Sequence, residues 1–268
     1  MTASTHVFAQ FSLRGKVAVV TGGAQGLGYE MMLALAEAGA DVACIDLQAE
    51  SGEKAIAEIQ TECKVKGSSW GCDVTKEEDV ARVFDQIDQY HGRIDILVTA
   101  AGINHVCPSL DYPAQGVRKI LDVNVVGTFN CMQEVAKHMI QKGIQGSMIA
   151  IASICAHVAT RPQTHTPYNA SKGAVHQLTK SLACEWAPQG IRVTSISPGY
   201  FDTAMNAQNI RQMGDQGVKT KQTWEAETPL GRMGKPHELK GAVVFLASDA
   251  AAYMTGTDIV VDGGYTSW

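Results

Sequence analysis

The 268-residue sequence predicts an α/β fold, a single doubly wound parallel sheet of about seven strands with helices on both faces. Three observations carry that prediction. Short β-branched runs alternate with helically periodic segments from Lys16 to Val98. A glycine-rich turn, Gly22 to Gly28, follows the first run without a gap. An aspartate, Asp46, closes the second run 18 residues after Gly28. Strand, glycine turn, helix and strand-end carboxylate in this order make a Rossmann-type unit.

Residues 1–12 read as an N-terminal arm with little structure of its own, and 13–268 as one domain. Lys16 to Thr21 is the first buried strand. The helix behind the glycine turn places Leu27, Met31, Ala34, Leu35 and Ala38 at helical spacing, and Gly39 ends it. Asp41 to Asp46 is the second strand, followed by a helix from about Glu50 to Cys63 and a strand ending in Gly71-Cys-Asp-Val-Thr75. Lys76 to His91 is amphipathic, with Val80, Val83, Phe84 and Ile87 on one face. Ile94 to Val98 is the fourth strand and opens into Thr99-Ala-Ala-Gly102. A helix containing Leu121 to Gly127 leads to a fifth strand, Gly146 to Ile151, which delivers Ser153 to the same rim. Tyr168 to Trp186 is a helix stopped by Pro188 and Gly190, and Ile191 to Ile196 is the sixth strand. Residues 204–230 are polar, rich in Gln and loosely periodic, and read as a mobile cover over the site. Pro236 to Ser248 is a last helix and Asp258 to Val261 a last strand.

In a parallel sheet ligands sit at the carboxyl ends of the strands, and the glycine turn marks the place. Backbone N–H groups and a helix N-terminus there receive a pyrophosphate. The spacing of Gly22, Gly26 and Gly28, with Gln25 and Leu27 between, is G-x3-G-x-G. Asp46 stands where a carboxylate meets ribose hydroxyls and repels a 2′-phosphate. No Lys or Arg lies in the turn or directly after Asp46, so NAD is expected in preference to NADP.

The second chemical signature is Pro167-Tyr168-x3-Lys172. Proline pre-sets a helix start, and residues four apart share a face. An ammonium beside a phenol favours the phenolate, giving an acid/base suited to an alcohol or carbonyl carbon near neutral pH. A surface Tyr–Lys pair is the plain alternative. Net charge of −5 speaks against nucleic acid or an anionic membrane as partner. Seven cysteines, none in a Cys-x-x-Cys pair, suit reduced thiols in the cytoplasm, and no apolar secretory leader or membrane span is apparent.

With these pieces placed, the sequence resembles the short-chain dehydrogenase/reductases over nearly its full length. The resemblance rests on Thr21-Gly22-x3-Gly26-x-Gly28, Asp73-Val74, Asn124, Ser153, Tyr168-x3-Lys172, Pro198-Gly199 with Thr203, and Val261-Asp262-Gly-Gly. It implies that Asn124, Ser153, Tyr168 and Lys172 form the catalytic set. It implies that Asp73 contacts adenine, that Val74, Ala101 and Gly102 belong to the cofactor site, and that Pro198, Gly199 and Thr203 border the nicotinamide. Lys172 also holds ribose hydroxyls, and Asn124 positions a water that relays the proton. One departure is Ala100, where the family has a second Asn. The C-terminal half, with Tyr200 after Pro-Gly, Trp224-Glu and the ending Tyr265…Trp268, is similar to fungal-type polyol dehydrogenases. The expected activity is therefore NAD-dependent interconversion of a sugar alcohol and its ketose, with Tyr168 as acid/base.

A ketoreductase for a steroid-like or secondary-metabolite alcohol, and a catalytically silent nucleotide-binding protein, are the competing readings. Asn104, His105, Cys155, His157, Gln163 and Tyr200 are candidates to line the substrate pocket. His105, His157 and His165 match no zinc spacing, and no metal is expected; Cys155 and Met205, Met213 and Met233 are expected to pack. A homotetramer or homodimer is implied by the resemblance, with the 119–141 and 168–187 helices as interfaces; Trp268 is a separate candidate to pack near a neighbouring subunit's pocket.

Overall fold

The computed structural model describes residues 6–203, 206–207, 210–211 and 214–268. Its first strand, β1 (Val17–Thr21), is buried at every position because it lies in mid-sheet. It pairs in parallel with β2 (Asp41–Asp46) on one side and β4 (Ile96–Thr99) on the other. With β3 (Gly67–Gly71), β5 (Ser147–Ile151), β6 (Arg192–Pro198) and β7 (Asp258–Val261) the sheet order is β3-β2-β1-β4-β5-β6-β7. The chain runs outward from β1 in one direction and then from β4 in the other. The β1/β4 junction is thus the switch point, where a crevice opens at the carboxyl edge. The expected seven-stranded, doubly wound parallel sheet is what the chain forms.

Strand alternation sorts the core into two halves. Ala18 and Val20 of β1 face one half, with Met31 and Leu35 of α2 (Gly26–Glu37), Ile56 and Ile59 of α3 (Ala49–Cys63), and Val243 and Leu246 of α9 (Lys240–Ala247). Val19 faces the other half. Its partners there are Val83 and Phe84 of α4 (Glu77–His91), Met132 and Val135 of α6 (Gly127–Lys142), and Val175 and Leu182 of α7 (Thr166–Trp186).

Several boundaries differ from the sequence pattern for local reasons. β3 stops at Gly71, short of Thr75, because the Asp73 Oδ1 accepts from the Thr75 N–H (3.1 Å) and hydroxyl (2.7 Å), which folds the chain into a turn. The helix expected through Leu121–Gly127 is interrupted: α5 (Ala114–Leu121) passes through a π-helical turn, Asp122–Val126, into α6. Pro236–Leu239 is a 3-10 turn ahead of α9. The N-terminal arm contains one helical turn, α1 (Val7–Gln10), and Phe11 leans on Phe245 with ring centroids 6.2 Å apart. Within 204–230, read from the sequence as a mobile cover, lies a 13-residue helix, α8 (Asp215–Glu227). Met205 and Met213 lie outside the described residues; Met233 is buried, as expected of a packing residue.

At the opposite, amino edge, Asp95 fixes the register of β1 against β4. Its buried carboxylate accepts from the Val17 N–H (2.9 Å) and from Arg93 Nε (2.8 Å) and Nη2 (2.6 Å). Asp95→Ala removes three charge-assisted hydrogen bonds but leaves the half-exposed Arg93 able to turn to water. The expected loss of stability is about 2 kcal/mol, read from the midpoint of urea unfolding at unchanged slope.

Candidate active site

The glycine turn approaches its neighbours too closely for a side chain at two points. Gly22 has φ +66°, and a Cβ there would stand 2.8 Å from the Ala101 nitrogen; at Gly28 it would strike the Gly22 carbonyl oxygen. α2 begins behind this turn with Gln25 as its N-cap, extended and making no side-chain capping bond. The first N–H groups of the helix, at Gly26, Leu27 and Gly28, therefore lack a side-chain cap, which is what an anion needs. At the end of β2, Asp46 accepts from the Ala24 N–H (3.3 Å) and the Gln48 N–H (3.1 Å), so its carboxylate stands beside the turn. Leu47, next to it, is 74 % exposed. Val74 is buried against the α6 start, where a Cβ on Gly127 would stand 2.6 Å from its Cγ2. Across the crevice the Gly199 N–H bonds the Val261 carbonyl (2.9 Å), and a Cβ on Gly199 would lie 2.7 Å from the Asp262 Cα. Thr203 is buried, its hydroxyl accepting from the Asn206 N–H at 3.2 Å. An uncapped helix end, backbone-only approach and a flanking carboxylate fit a dinucleotide.

Two of the predicted catalytic residues, Asn124 and Lys172, meet beside Gly102. A Cβ at Gly102 would lie 3.3 Å from Asn124 Oδ1 and 3.8 Å from Lys172 Nζ. Lys172, 7 % exposed, donates to the Ile151 carbonyl at 2.7 Å, and its Nζ stands 5.7 Å from the Tyr168 ring centroid. Ser153 follows β5; its Oγ accepts from the Cys155 N–H (3.1 Å), which leaves the hydroxyl hydrogen free to donate. Asn124 lies inside the π-helical turn and is fully buried. Its Oδ1 accepts from the Ile103 N–H (2.8 Å), and its Nδ2 donates to the Ile103 carbonyl and the Ser171 hydroxyl, both at 3.0 Å. The Asn124 side-chain amide clamps the 103 loop onto α7.

Other candidates are redistributed. His157 turns away: its Nε2 meets Asp258 Oδ2 at 2.9 Å and Ser197 Oγ at 3.2 Å, satisfying a carboxylate buried between β6 and β7. His105 is exposed and packs edge-on against Tyr112. His165 is buried and stacks on the Tyr168 ring at 5.3 Å. Its Nδ1 faces the Asn104 amide nitrogen (3.2 Å) and so accepts; its Nε2–H then donates to the Thr160 hydroxyl (2.9 Å). Cys155 Sγ is buried 3.5 Å from the same hydroxyl. Gln163 and Tyr200 come together, with Gln163 Nε2 donating to the Tyr200 hydroxyl at 2.7 Å. Among the described residues, His and carboxylate ligand atoms close enough to share a cation occur together at Asp85, Glu134 and His138, between α4 and α6.

A family profile described as enoyl-(acyl carrier protein) reductase matches residues 22–266. The chain belongs to the short-chain dehydrogenase/reductase family. It is similar to a D-arabinitol 2-dehydrogenase (ribulose-forming) of Scheffersomyces stipitis, 38% identical over 98% of each chain. It is also similar to an NADP-dependent mannitol dehydrogenase of Hypocrea jecorina, 40% identical over 96% of this chain and 94% of that one. A solved NAD+-bound xylitol dehydrogenase superposes with a TM-score of 0.87 at 34% identity, over 94% of this chain and 99% of that chain.

As a short-chain dehydrogenase/reductase the protein is an oxidoreductase using NAD or NADP, and the Tyr168–Lys172 pair has its own electrostatics. Burial pushes the Tyr168 phenol above its ordinary value, the Cys155 thiol adds to this, and the Ser153 hydrogen bond opposes it. Burial also lowers Lys172, to about 8. The expected lowering of Tyr168 by Lys172 is thus outweighed, because both groups lose water and the ammonium is tied to the Ile151 carbonyl. Ser171 and Thr160, which hold Asn124 and His165, escaped the sequence reading, and Trp224, which holds Gln163, entered it only through the resemblance and not as a site residue. A lone Trp in the polar 204–230 stretch was the one available signal.

The lowered Lys172 has a linkage consequence. From about pH 8 to 10.5 the unfolded chain holds a proton that the folded chain has released, so folded stability rises across that window. Lys172→Met removes this term while keeping the Tyr168 contribution common to both proteins. In the cofactor-free protein, raising pH from 7 to 10 should shift the stability difference toward wild type by about 2 kcal/mol, measured by denaturant unfolding.

Proposed function

We propose that the chain interconverts the secondary hydroxyl of a sugar alcohol and the carbonyl of the corresponding ketose, using NAD. The observation that carries this reading is that Lys172, beside Gly102, has its Nζ 5.7 Å from the ring of Tyr168, which in turn hydrogen-bonds Ser153, on the sheet edge where the Gly22–Gly28 turn presents an uncapped helix. The names of full-length relatives, the arabinitol and mannitol dehydrogenases, support a polyol as the substrate.

When bound, the nicotinamide supplies the hydride acceptor for oxidation and the donor for reduction. Tyr168 moves the proton: its hydroxyl protonates the carbonyl oxygen in reduction, and its phenolate takes the hydroxyl proton in oxidation. Ser153 donates a hydrogen bond to that oxygen and steadies the charge that develops on it. The Lys172 ammonium favours the phenolate once the tyrosine gives up its proton. Asn124, through Ile103 and Ser171, keeps the 103 loop and α7 in register around them.

The preference for NAD rests on Asp46 beside the turn, with the apolar Leu47 where a cation would meet a 2′-phosphate. Symmetric assembly into a dimer or tetramer is part of the proposal, supported by exposed Leu121, Val126 and Ile140 on the α5–α6 helix. The seven free thiols suit a reducing cytoplasm.

Arabinitol, xylitol, sorbitol and mannitol, assayed with NAD and NADP beside a steroid alcohol, should give NADH formation with at least one polyol and none with the steroid. Tyr168→Phe should lose almost all turnover while NAD binding, followed by NADH fluorescence, is retained. Asp46→Ser should raise the ratio of kcat/KM with NADP to that with NAD by about tenfold or more, since it removes a like charge close to the 2′ position. An unchanged ratio removes Asp46 from the cofactor argument.

A further inference from the structure

The stretch between Ser153 and Tyr168 is tied to α8 by an aromatic–amide assembly centred on Gln163. Trp224 Nε1 donates to Gln163 Oε1 at 2.9 Å, and Gln163 Nε2 donates to the Tyr200 hydroxyl at 2.7 Å. The Trp224 and Tyr200 rings stack with centroids 4.5 Å apart and planes 13° from parallel. One turn along α8, Glu227 Oε1 meets Arg161 Nε at 2.7 Å, and its Oε2 accepts from the Tyr265 hydroxyl at 3.1 Å. Tyr265 in turn packs edge-on against Tyr200. Tyr200 and the acid/base Tyr168 both pack on the small core of Ile154, Cys155 and Tyr265, so the assembly borders the reacting centre.

The chemistry fixes how the amide points. An indole N–H is a donor without acceptor capacity, so the amide oxygen must face Trp224 and the amide nitrogen must face Tyr200. Each end is held, and the amide plane cannot turn over without losing both bonds. What is left unused is one lone pair on Oε1 and one hydrogen on Nε2, a donor and an acceptor side by side in a fixed plane. Neighbouring hydroxyls of a polyol chain present the matching acceptor and donor. Stacked aromatic faces beside the amide suit the C–H surface of the same molecule. A monofunctional alcohol has no second hydroxyl to use this array.

We propose that Gln163 is the residue that reads a hydroxyl of the polyol beyond the reacting one, and that Trp224 is a positioning residue which sets the Gln163 amide for that contact. This rests on the polyol reading above and adds a determinant of specificity to it. Without Trp224 the amide keeps a partner at one end and can rotate, so part of the binding to the distal hydroxyl is lost. The chemistry at the reacting carbon depends on Ser153, Tyr168 and Lys172.

The test compares the best polyol of the screen with cyclohexanol, a secondary alcohol lacking further hydroxyls. For Trp224→Phe, which keeps the stacked ring and removes the indole N–H, kcat/KM for the polyol relative to that for cyclohexanol should fall about tenfold, the value of one hydrogen bond. The change should lie in KM for the polyol more than in kcat. Gln163→Glu still accepts from Trp224 and from the Tyr200 hydroxyl, yet loses the amide hydrogen, and should show the same shift. Gln163→Asn shortens the side chain and should not restore the ratio. An equal fall on both alcohols, or no fall on either, overturns the proposal and leaves the assembly as a scaffold. A wild-type protein that oxidises cyclohexanol and no polyol defeats the polyol reading itself, a result distinguishable from either of those.

Discussion

Lys172 keeps an ammonium inside the protein, donating at 2.7 Å to the carbonyl of Ile151. A buried cation needs a fixed partner, and this partner is the last residue of β5. The position of the charge therefore follows from the sheet: β5 is set by β4 through Ile96–Ser147 and Thr99–Ala150, and by β6 through Ile151–Ile196. Ser153, two residues beyond that carbonyl, inherits the same register. Tyr168, one helical turn before Lys172, is placed by α7. Ser153 and the Lys172 ammonium thus take their positions from the same strand, β5, and Tyr168 is carried with Lys172 on α7.

The same dependence runs to the cofactor side. Gly22 leaves β1 and approaches Ala101, which leaves β4, at a distance no side chain would permit. Asn124 then fastens the loop after β4 to α7 through Ile103 and Ser171. A π-helical turn, costly as regular structure, is tolerated there because it carries this buried amide into its hydrogen-bonding position. The β1/β4 switch is thus bordered on one side by a backbone contact and on the other by a side-chain clamp.

The sheet was legible in the sequence because each buried strand is a short β-branched run and each connection carries its own stop signal. The Gly22–Gly28 turn and Tyr168-x3-Lys172 were legible because their spacings are local. Distant pairings left no periodic trace: Asn124 with Ile103, His157 with Asp258, and Trp224 with Gln163 are separated by 21, 101 and 61 positions. The turn at Asp73–Thr75 and the helix at Asp215–Glu227 were missed for different reasons. The first is a side-chain decision, made by one carboxylate oxygen. The second lacks an apolar stripe and is held instead through Trp224 and Glu227.

Polar residues near a site invite assignment to the ligand, yet a buried polar atom must first satisfy itself. His157 serves Asp258, and His165 is spent between Asn104 and Thr160 with burial holding its imidazole neutral. Asn124 has given both ends of its amide to Ile103 and Ser171. Ser153, Tyr168 and the outer edge of the Gln163 amide are among the groups that keep capacity for a polyhydroxylated ligand. In the proposed reaction the first two act on the reacting oxygen. The third stands across the small Ile154–Cys155–Tyr265 core, beside Tyr200. Hydrogen-bonding bookkeeping therefore separates a reacting end of the pocket from a reading end, a division that the list of polar residues in the sequence does not contain.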